Sequence, residues 1–399
     1  MSNISKIKNE HGVFSDLFVL FCLLFSAIAS LSSDKLNSYA LYAVLPLAFV
    51  ISFLQSKRLF VNKYLKCLIF FYVWEAISLV WATYQDASIR ELHAILGAFI
   101  VSYIVSVQVK RGNVILWLYL VYFVLLIRAW LYASDNLLIV TDFSANERLN
   151  DAKLNANTLA YYTTYVTFGA FIINQIIHSK RLKFVFDAIF FAMIPITIFT
   201  ALTTASRQVL IIQIPSVVLL LWIRFFKQSK AYQKILLFIT VVALLAYSFP
   251  KIETVYEGSY LAQRSEVSVR EDSRSALAKE AMMVGLQHFP LGVGAGNYIR
   301  YSKTHRFSHN SYTELFANVG IIGLIIYLVL VLGFIRAQWK RYKTTKDKIF
   351  AYFLIFGIIY SIDQFFYVFY IDQWLISFFV LVASHSELYY NTRANKYQV

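Results

Sequence analysis

The sequence predicts an all-α polytopic membrane protein of about twelve transmembrane helices with one large outer loop. Three observations carry that expectation: the overall composition, the spacing of the apolar runs, and the placement of the positive charge. The chain of 399 residues is 59% hydrophobic and 18% aromatic, yet only 15% charged. That balance fits neither a soluble globular chain nor a disordered one. The net charge of +15 collects in alternate connections, so it reports orientation in a membrane and not affinity for nucleic acid.

The expected spans run Phe14–Leu31, Tyr39–Leu54, Leu65–Trp81, Ala94–Val107, Val114–Ala133 and Leu159–Ile177. They continue as Phe184–Leu202, Val209–Phe225, Ile235–Phe249, Tyr312–Phe334, Ile349–Tyr367 and Gln373–Leu388. They are roughly 15–22 residues each, near the length of about 20 that a helix needs to cross a bilayer core at 1.5 Å per residue. Basic connections hold Lys57, Arg58 and Lys63, then Lys110 and Arg111, then Lys180, Arg181 and Lys183. The same side carries 224–234 and the cluster from Arg336 to Lys348, while the intervening short loops are acidic or balanced. By the positive-inside rule both termini are expected in the cytoplasm. Residues 1–31 also resemble a cleavable signal, with Lys6 and Lys8 before the apolar run and Ala27-Ile28-Ala29 after it. The many spans that follow favour an uncleaved first helix. Cys22 and Cys67 both lie in apolar spans, where neither a structural disulfide nor a metal site is expected.

Three regions follow: residues 1–249 with spans one to nine, an outer loop over 250–308, and 309–399 with the last three spans. A loop of that length is uncommon unless it has a function. It carries a helical signal of its own. Asp272 or Ser273 can cap a segment whose Leu277, Ala281 and Val284 share one face, ending by Pro290. Gly292, Gly294 and Gly296 read as a flexible turn after that helix, since no strand precedes them as a nucleotide fingerprint requires.

The residues suited to chemistry gather on the outer side. Ser311 and Glu314 have capping-box spacing, so a helix is expected to start there with free amides. His309 sits just ahead of it, where helix dipole and amides favour a phosphate and an imidazole can act as a base. Arg207 ends Thr203-Thr204-Ala205-Ser206-Arg207 at the outer junction of two spans. Arg264, Arg270 and Arg274 lie in the loop, and Asn155 and Asn157 precede the sixth span. Guanidinium groups suit a diphosphate because they donate two-pronged bonds and stay charged. Each residue also has a plainer reading. Arg207 can snorkel to headgroups, the loop arginines can pair with Glu266, Glu271 and Asp272, and His309 can be a simple interfacial histidine. The two asparagines can be helix caps. Glu75 and Arg128 fall inside spans, where charges face the bundle interior and can pair with each other. No Asp-x-Asp string, Walker loop or zinc-spaced His/Cys cluster occurs, so no metal or nucleotide cofactor is expected.

Several of these motifs together resemble a known family. Ser308-His309-Asn310-Ser311-Tyr312, Glu314-Leu315 and Gly320-Ile321-Ile322-Gly323 resemble the signature of the O-antigen ligase/polysaccharide polymerase superfamily of bacterial inner-membrane glycosyltransferases. Ser273-Arg274 and Phe289-Pro290-Leu291-Gly292-Val293-Gly294 resemble that family's large periplasmic loop. Thr204-Ala205-Ser206-Arg207 resembles its Ser/Thr-Arg element, and Asn155-Ala156-Asn157 with Ala160 its Asn-rich element. The likeness covers about the last 250 residues; the earlier spans match in number and character only. It implies a GT-C-like fold and metal-independent, inverting glycosyl transfer at the periplasmic face. The donor would be a glycan on undecaprenyl diphosphate. Arg207 and Arg274 would hold the diphosphate and His309 would activate the acceptor hydroxyl. Arg264, Arg270, Asn155, Asn157, Asn310 and Glu314 would contact substrate.

The family divides by acceptor. Asn310 to Phe316, with Gly323 and Tyr327, looks closer to polymerases, which join lipid-linked repeat units. A ligase would instead move the glycan to lipid A core. The expected partners are therefore the lipid-linked glycan, a glycan or lipid A core acceptor, the bilayer, and other polysaccharide-assembly membrane proteins, with no nucleic acid. The reading from another class is a lipid-linked oligosaccharide transporter, with Glu75 and Arg128 as a coupling pair. The absence of a half-to-half repeat stands against it.

Overall fold

The computed structural model describes residues 10–136, 156–177, 179–204, 212–223 and 273–394. The described residues are helical, with no strand among them. They fall into two compact units, Met1–Arg128 with Ser273–Val399, and Ala129–Asp272.

In the first unit α1 (Glu10–Ala29) leads to α2 (Asp34–Tyr39), capped by Ser33, and to α3 (Leu45–Ser56), which has a proline in its first turn. Asn62 caps α4 (Lys63–Ile77) by accepting from Leu65 N–H at 2.9 Å. Next come α5 (Gln85–Arg111), ended by Gly112 in the left-handed region, and α6 (Ile115–Asn136), which runs on into the second unit. After α10 (Ser273–Gln287) and the single turn α11 (Tyr298–Tyr301), the long α12 (Ser311–Thr345), α13 (Lys348–Asp363) and α14 (Gln373–Ala394) complete the unit. The helix expected in the long loop is α10, with Leu277, Ala281 and Val284 buried as its period requires.

α4 and α12 run antiparallel. Tyr64 packs on Phe334 at 5.6 Å, Cys67 Sγ donates to Ile326 O at 3.5 Å, and Trp74 Nε1 donates to Val319 O at 3.0 Å. This fixes two ends of the unit: one where α4 starts and α12 ends, and one where α4 ends and α12 starts. α14 lies along α5; Gly97 lets Gln373 approach within 2.9 Å of where a Cβ would stand. Buried hydroxyls couple α14 to α6, through Tyr122 with Ser377 at 2.8 Å and Tyr119 with His385 at 3.0 Å.

In the second unit α7 (Ala156–Ile176) packs on α8 (Lys180–Thr204), with Phe171 5.1 Å from Phe190. Asn174 closes the turn between them by donating to Lys183 O at 2.9 Å. α9 (Ile214–Leu221) follows, tied to α8 through Gln213 Nε2 and Thr197 Oγ1 at 3.1 Å.

Five of the described helical segments are long and apolar enough to cross a membrane: Gly12–Ala29, Asp34–Ser56, Gln85–Arg111, Ile115–Ala133 and Ser311–Thr345. The chain is a helical membrane protein. α4, α7, α8, α13 and α14 lie on further expected spans, and Ile235–Phe249 lies outside the described residues. One expectation needs correction, and one pairing that the sequence leaves open is resolved. The tenth span is not one continuous helix, because α12 breaks at Gly320 (φ 67°, ψ −167°). Glu75 and Arg128 do not pair. Arg128 Nη2 instead donates to Leu31 O at 2.7 Å, just past the end of α1, where the helix dipole is negative. Both carboxylate oxygens of Glu75 are buried with no hydrogen-bond partner among the described residues.

One buried charge ties α1 to the rest. Asp16, fully buried, accepts from Arg111 Nε at 2.6 Å, Asn113 Nδ2 at 2.6 Å and Gln55 Nε2 at 3.1 Å. Removing one member of such a network strands the others. Asp16→Ala is expected to lower stability by about 3 kcal/mol, read as the midpoint of thermal unfolding in detergent. An unchanged midpoint would remove the clamp.

Candidate active site

The start of α12 differs from expectation by one residue. Asn310, and not Ser311, is the cap: its Oδ1 accepts from Tyr312 N–H at 3.0 Å and Thr313 N–H at 3.2 Å. Ser311 is drawn away by a tertiary demand. Its hydroxyl donates to Tyr367 O at 2.8 Å and accepts from Phe369 N–H at 2.9 Å, while its own N–H donates to Gln364 O at 2.8 Å. Glu314 reaches back beyond the cap and accepts from Ser308 N–H at 2.6 Å. Every amide of the first turn is thus engaged within the protein, so the free-amide anion site expected here is not present. The helix dipole still favours a phosphate at this end, but no first-turn amide is free to bond it.

His309 lies between these anchors. Ser308 Oγ donates to Asn310 O at 2.9 Å and accepts from Asn310 N–H at 3.2 Å, closing a tight bend around His309. His309 takes φ 55° there, a left-handed conformation uncommon for a residue with a Cβ. Ser308 and Asn310 are buried, and the imidazole stays half-exposed. The bend therefore presents one titratable group from an otherwise sealed backbone.

The other end of residues 311–319 is the break at Gly320. Ala317 O accepts from Val293 N–H at 2.9 Å and Asn318 O from Gly294 N–H at 2.7 Å. Ile321 N–H donates to Pro290 O at 3.0 Å. A Cβ on Gly320 would stand 2.0 Å from Pro290 O, and one on Gly292 2.6 Å from Ala317 O. The glycine turn is therefore not the loose connection expected; it is a buried plug fitted to the break. Its glycines take φ between 67° and 95°, as close backbone approach requires. Asn318 Oδ1 accepts from Tyr298 N–H at 2.7 Å, and Asn297 Oδ1 accepts from Tyr84 N–H at 2.7 Å. Burial pushes the Tyr298 phenol above its usual range.

Arg274 sits half-buried in the first turn of α10. That helix packs on the 311–319 segment through Ala281, Val284 and Ala317, and Gly285 leaves room for the Phe316 ring. Arg274 and His309 are thus carried by neighbouring elements of one unit. Asn157 lies in the first turn of α7, in the second unit. Arg207, Arg264, Arg270 and Asn155 lie outside the described residues. Among the described residues, no group of three or more His, Cys, Asp and Glu side chains is placed to hold a metal ion.

Sequence reasoning passed over Asp363 and Gln364. They end α13 beside the start of α12, and both are almost fully buried. Asp363 Oδ2 and the Gln364 Oε1 and Nε2 have no hydrogen-bond partner among the described residues. The signal that could have found them is a polar pair closing an apolar run at membrane depth.

The bend depends on the Glu314 carboxylate. Glu314→Ala strands a buried amide and is expected to cost about 1–3 kcal/mol, whereas Glu314→Gln keeps an acceptor and should cost less. Thermal unfolding of the two variants in detergent separates them; equal stability of both with the native protein would refute the anchor.

Comparison with known proteins adds an independent observation. The profile of the family described as O-antigen ligase matches residues 188–328, a stretch that starts in α8 and takes in α10, the glycine turn and the break in α12. No curated protein matches the chain. Over these residues the chain is similar to the O-antigen ligase family, which supports its resemblance to the O-antigen ligase/polysaccharide polymerase superfamily.

Proposed function

We propose that this protein catalyses metal-independent, inverting transfer of a glycan from undecaprenyl diphosphate at the periplasmic face of the inner membrane. Both termini lie in the cytoplasm in this reading. The observation that carries it is the bend at His309, a half-exposed imidazole held left-handed by Ser308, Asn310 and Glu314 inside the matched domain. An imidazole is a base near neutral pH and needs only a fixed position to act as one. It takes the proton from an acceptor hydroxyl as that oxygen attacks the anomeric carbon. The bond from that carbon to the diphosphate oxygen breaks, and the electron pair leaves with undecaprenyl diphosphate. Back-side attack inverts the anomeric centre.

The leaving group carries its charge away, so catalysis needs fixed cations there. Arg274 takes that role on α10, which packs against the segment behind His309. Arg207 shares it on the strength of its motif, with Arg264 and Arg270 in support. Asn155, Asn157 and Asn310 contribute to substrate binding. Glu314 acts through the bend it holds, and Asp363 and Gln364 offer polar atoms beside it.

The acceptor proposed is a second lipid-linked repeat unit, so the product is a polymer; the run from Asn310 to Phe316 supports this. The ligase reading, with lipid A core as acceptor, is favoured by the family's description. A deletion strain separates them. A glycolipid with a single repeat indicates a polymerase, and long lipid-linked polymer with bare lipid A core indicates a ligase.

His309→Ala should lower transfer by about 10²–10⁴-fold while the protein stays folded in the membrane; native rates would remove the base. Arg274→Lys and Arg207→Lys should also be poorly tolerated, because a point charge cannot make a two-pronged contact. Purified protein given the lipid diphosphate glycan in chelator should still extend it. A strict magnesium requirement would overturn the metal-independent reading.

A further inference from the structure

α10 has two faces, and packing within the unit accounts for only one of them. Ala281 and Val284 are buried against Ala317, and Leu277 is buried on the same side. The opposite face carries Ser275 and Lys279 in its first half, then Met282, Met283 and Leu286, with Phe289 just past the helix end. Leu286 is 61% exposed and Phe289 62%. A helix that turns one face to water keeps that face polar. Large apolar side chains left open together over about two turns mark a contact surface.

The depth of that face follows from α12. The residues between Glu314 and Arg336 carry no charge, and at 1.5 Å per residue they span about 30 Å, the thickness of a hydrocarbon core. Gly320 lies inside that stretch, about 8 Å from the end where α12 starts. Gly285 stands opposite Phe316, and Pro290 O accepts from Ile321 N–H at 3.0 Å. α10 therefore descends alongside the first third of α12, which brings Phe289 to the level of the break. Exposure along α12 agrees. Ile322, Ile325, Val329 and Leu332 form an open stripe below the break, whereas no residue from 311 to 320 is exposed. Leu291, also exposed, has its Cα 2.8 Å from where a Cβ on Gly320 would stand. The open stripe of α12 thus continues onto Leu291, Phe289 and Leu286.

Lipid is the occupant that fits both observations. The stripe it continues belongs to a spanning helix, where open apolar side chains meet acyl chains. Its own composition changes from Ser275 and Lys279 to Met282, Met283, Leu286 and Phe289, as in an element that enters hydrocarbon from the headgroup level. We propose that α10 and the glycine turn form a re-entrant element in the leaflet where α12 starts, with Met282, Met283, Leu286 and Phe289 against acyl chains. Irregular backbone at that depth requires partners for its polar groups, and the turn has them. Gly292 N–H donates to His288 O at 2.9 Å, Val293 and Gly294 donate to α12, and Ala295 N–H donates to Ser78 Oγ at 2.8 Å. The descent leaves Arg274, in the first turn, at the headgroup level. This placement holds whatever reaction the bend at His309 performs.

The test is spin-label accessibility in the full-length protein reconstituted in lipid nanodiscs, with Cys22→Ala and Cys67→Ala removing the native thiols. Ser275→Cys, Lys279→Cys, Met283→Cys, Leu286→Cys and Phe289→Cys each carry one label. Collisions with oxygen, which concentrates in hydrocarbon, are compared with those of a water-soluble nickel chelate. The oxygen-to-nickel ratio should be low at 275 and 279, reverse by 283 and be highest at 289. Labels at 286 and 289 that meet nickel more often than oxygen place the face in water and overturn the proposal. Exclusion of both reagents there puts protein on the face, a second copy or a partner, and overturns it equally. Should the labelled variants fail to fold, the native protein is irradiated in bilayers of a phosphatidylcholine with a diazirine in its acyl chains. Peptide mapping by mass spectrometry should then find the lipid on 282–289 as well as on 322–332. Absence of label from 282–289 overturns the proposal.

Discussion

The first unit is organised around backbone groups that a helix break leaves unsatisfied. Within a bilayer there is little water to satisfy a broken helix, so irregular backbone survives only where protein supplies its partners. At Gly320 most of those partners come from one short segment. Pro290 O takes the amide beyond the break, and Val293 N–H and Gly294 N–H take the carbonyls before it. Trp74 on α4 takes the carbonyl of Val319. Gly292 follows from necessity at the break, and Gly294 and Gly296 do so against Ala82 and Ala87, since backbone can approach this closely only where no Cβ intervenes.

That seal has a consequence for the chemistry. Residues 311–319 form a short helical segment fixed at both ends: at Gly320 by the turn, and at Ser311 by Gln364, Tyr367 and Phe369. His309 is attached to the N-terminal end of that segment, in a conformation that costs on the order of 1 kcal/mol for a residue with a Cβ. The position of the imidazole is therefore set by packed backbone and not by a mobile loop. A general base gains from this arrangement, because the proton it accepts must be met at one place.

The sequence shows some of this clearly and hides the rest for identifiable reasons. Hydropathy reads the spans because the lipid imposes length and apolarity on each one independently. The face of α10 is visible because Leu277, Ala281 and Val284 obey a local period. The cap was misplaced because asparagine and serine both accept amide hydrogens well, and the choice falls to the 364–369 turn, some fifty residues away. The Gly320 break is hidden for a similar reason. Gly320-Ile321-Ile322-Gly323 reads as an ordinary stretch of span, and only the distant Pro290 turn makes a break affordable. Occupancy of the first-turn amides is equally non-local, since Gln364 O takes the Ser311 N–H from across the chain. The pairing of Glu75 with Arg128 fails because a cation can be satisfied by a helix-end carbonyl as readily as by a carboxylate.

The two ends of the unit solve different problems with the same materials. Where α12 starts, buried polar side chains such as Asn310, Asn318 and Glu314 accept from main-chain amides, and the result is a held conformation. Where α4 starts, Asn62, Ser106 and Ser384 bond to one another across three helices. A side chain spent on backbone fixes the conformation of the segment it bonds. A side chain spent on another side chain fixes the spacing of two helices and leaves their backbones regular. A held bend at the first end and a helix junction at the second thus follow from what each set of polar groups bonds to.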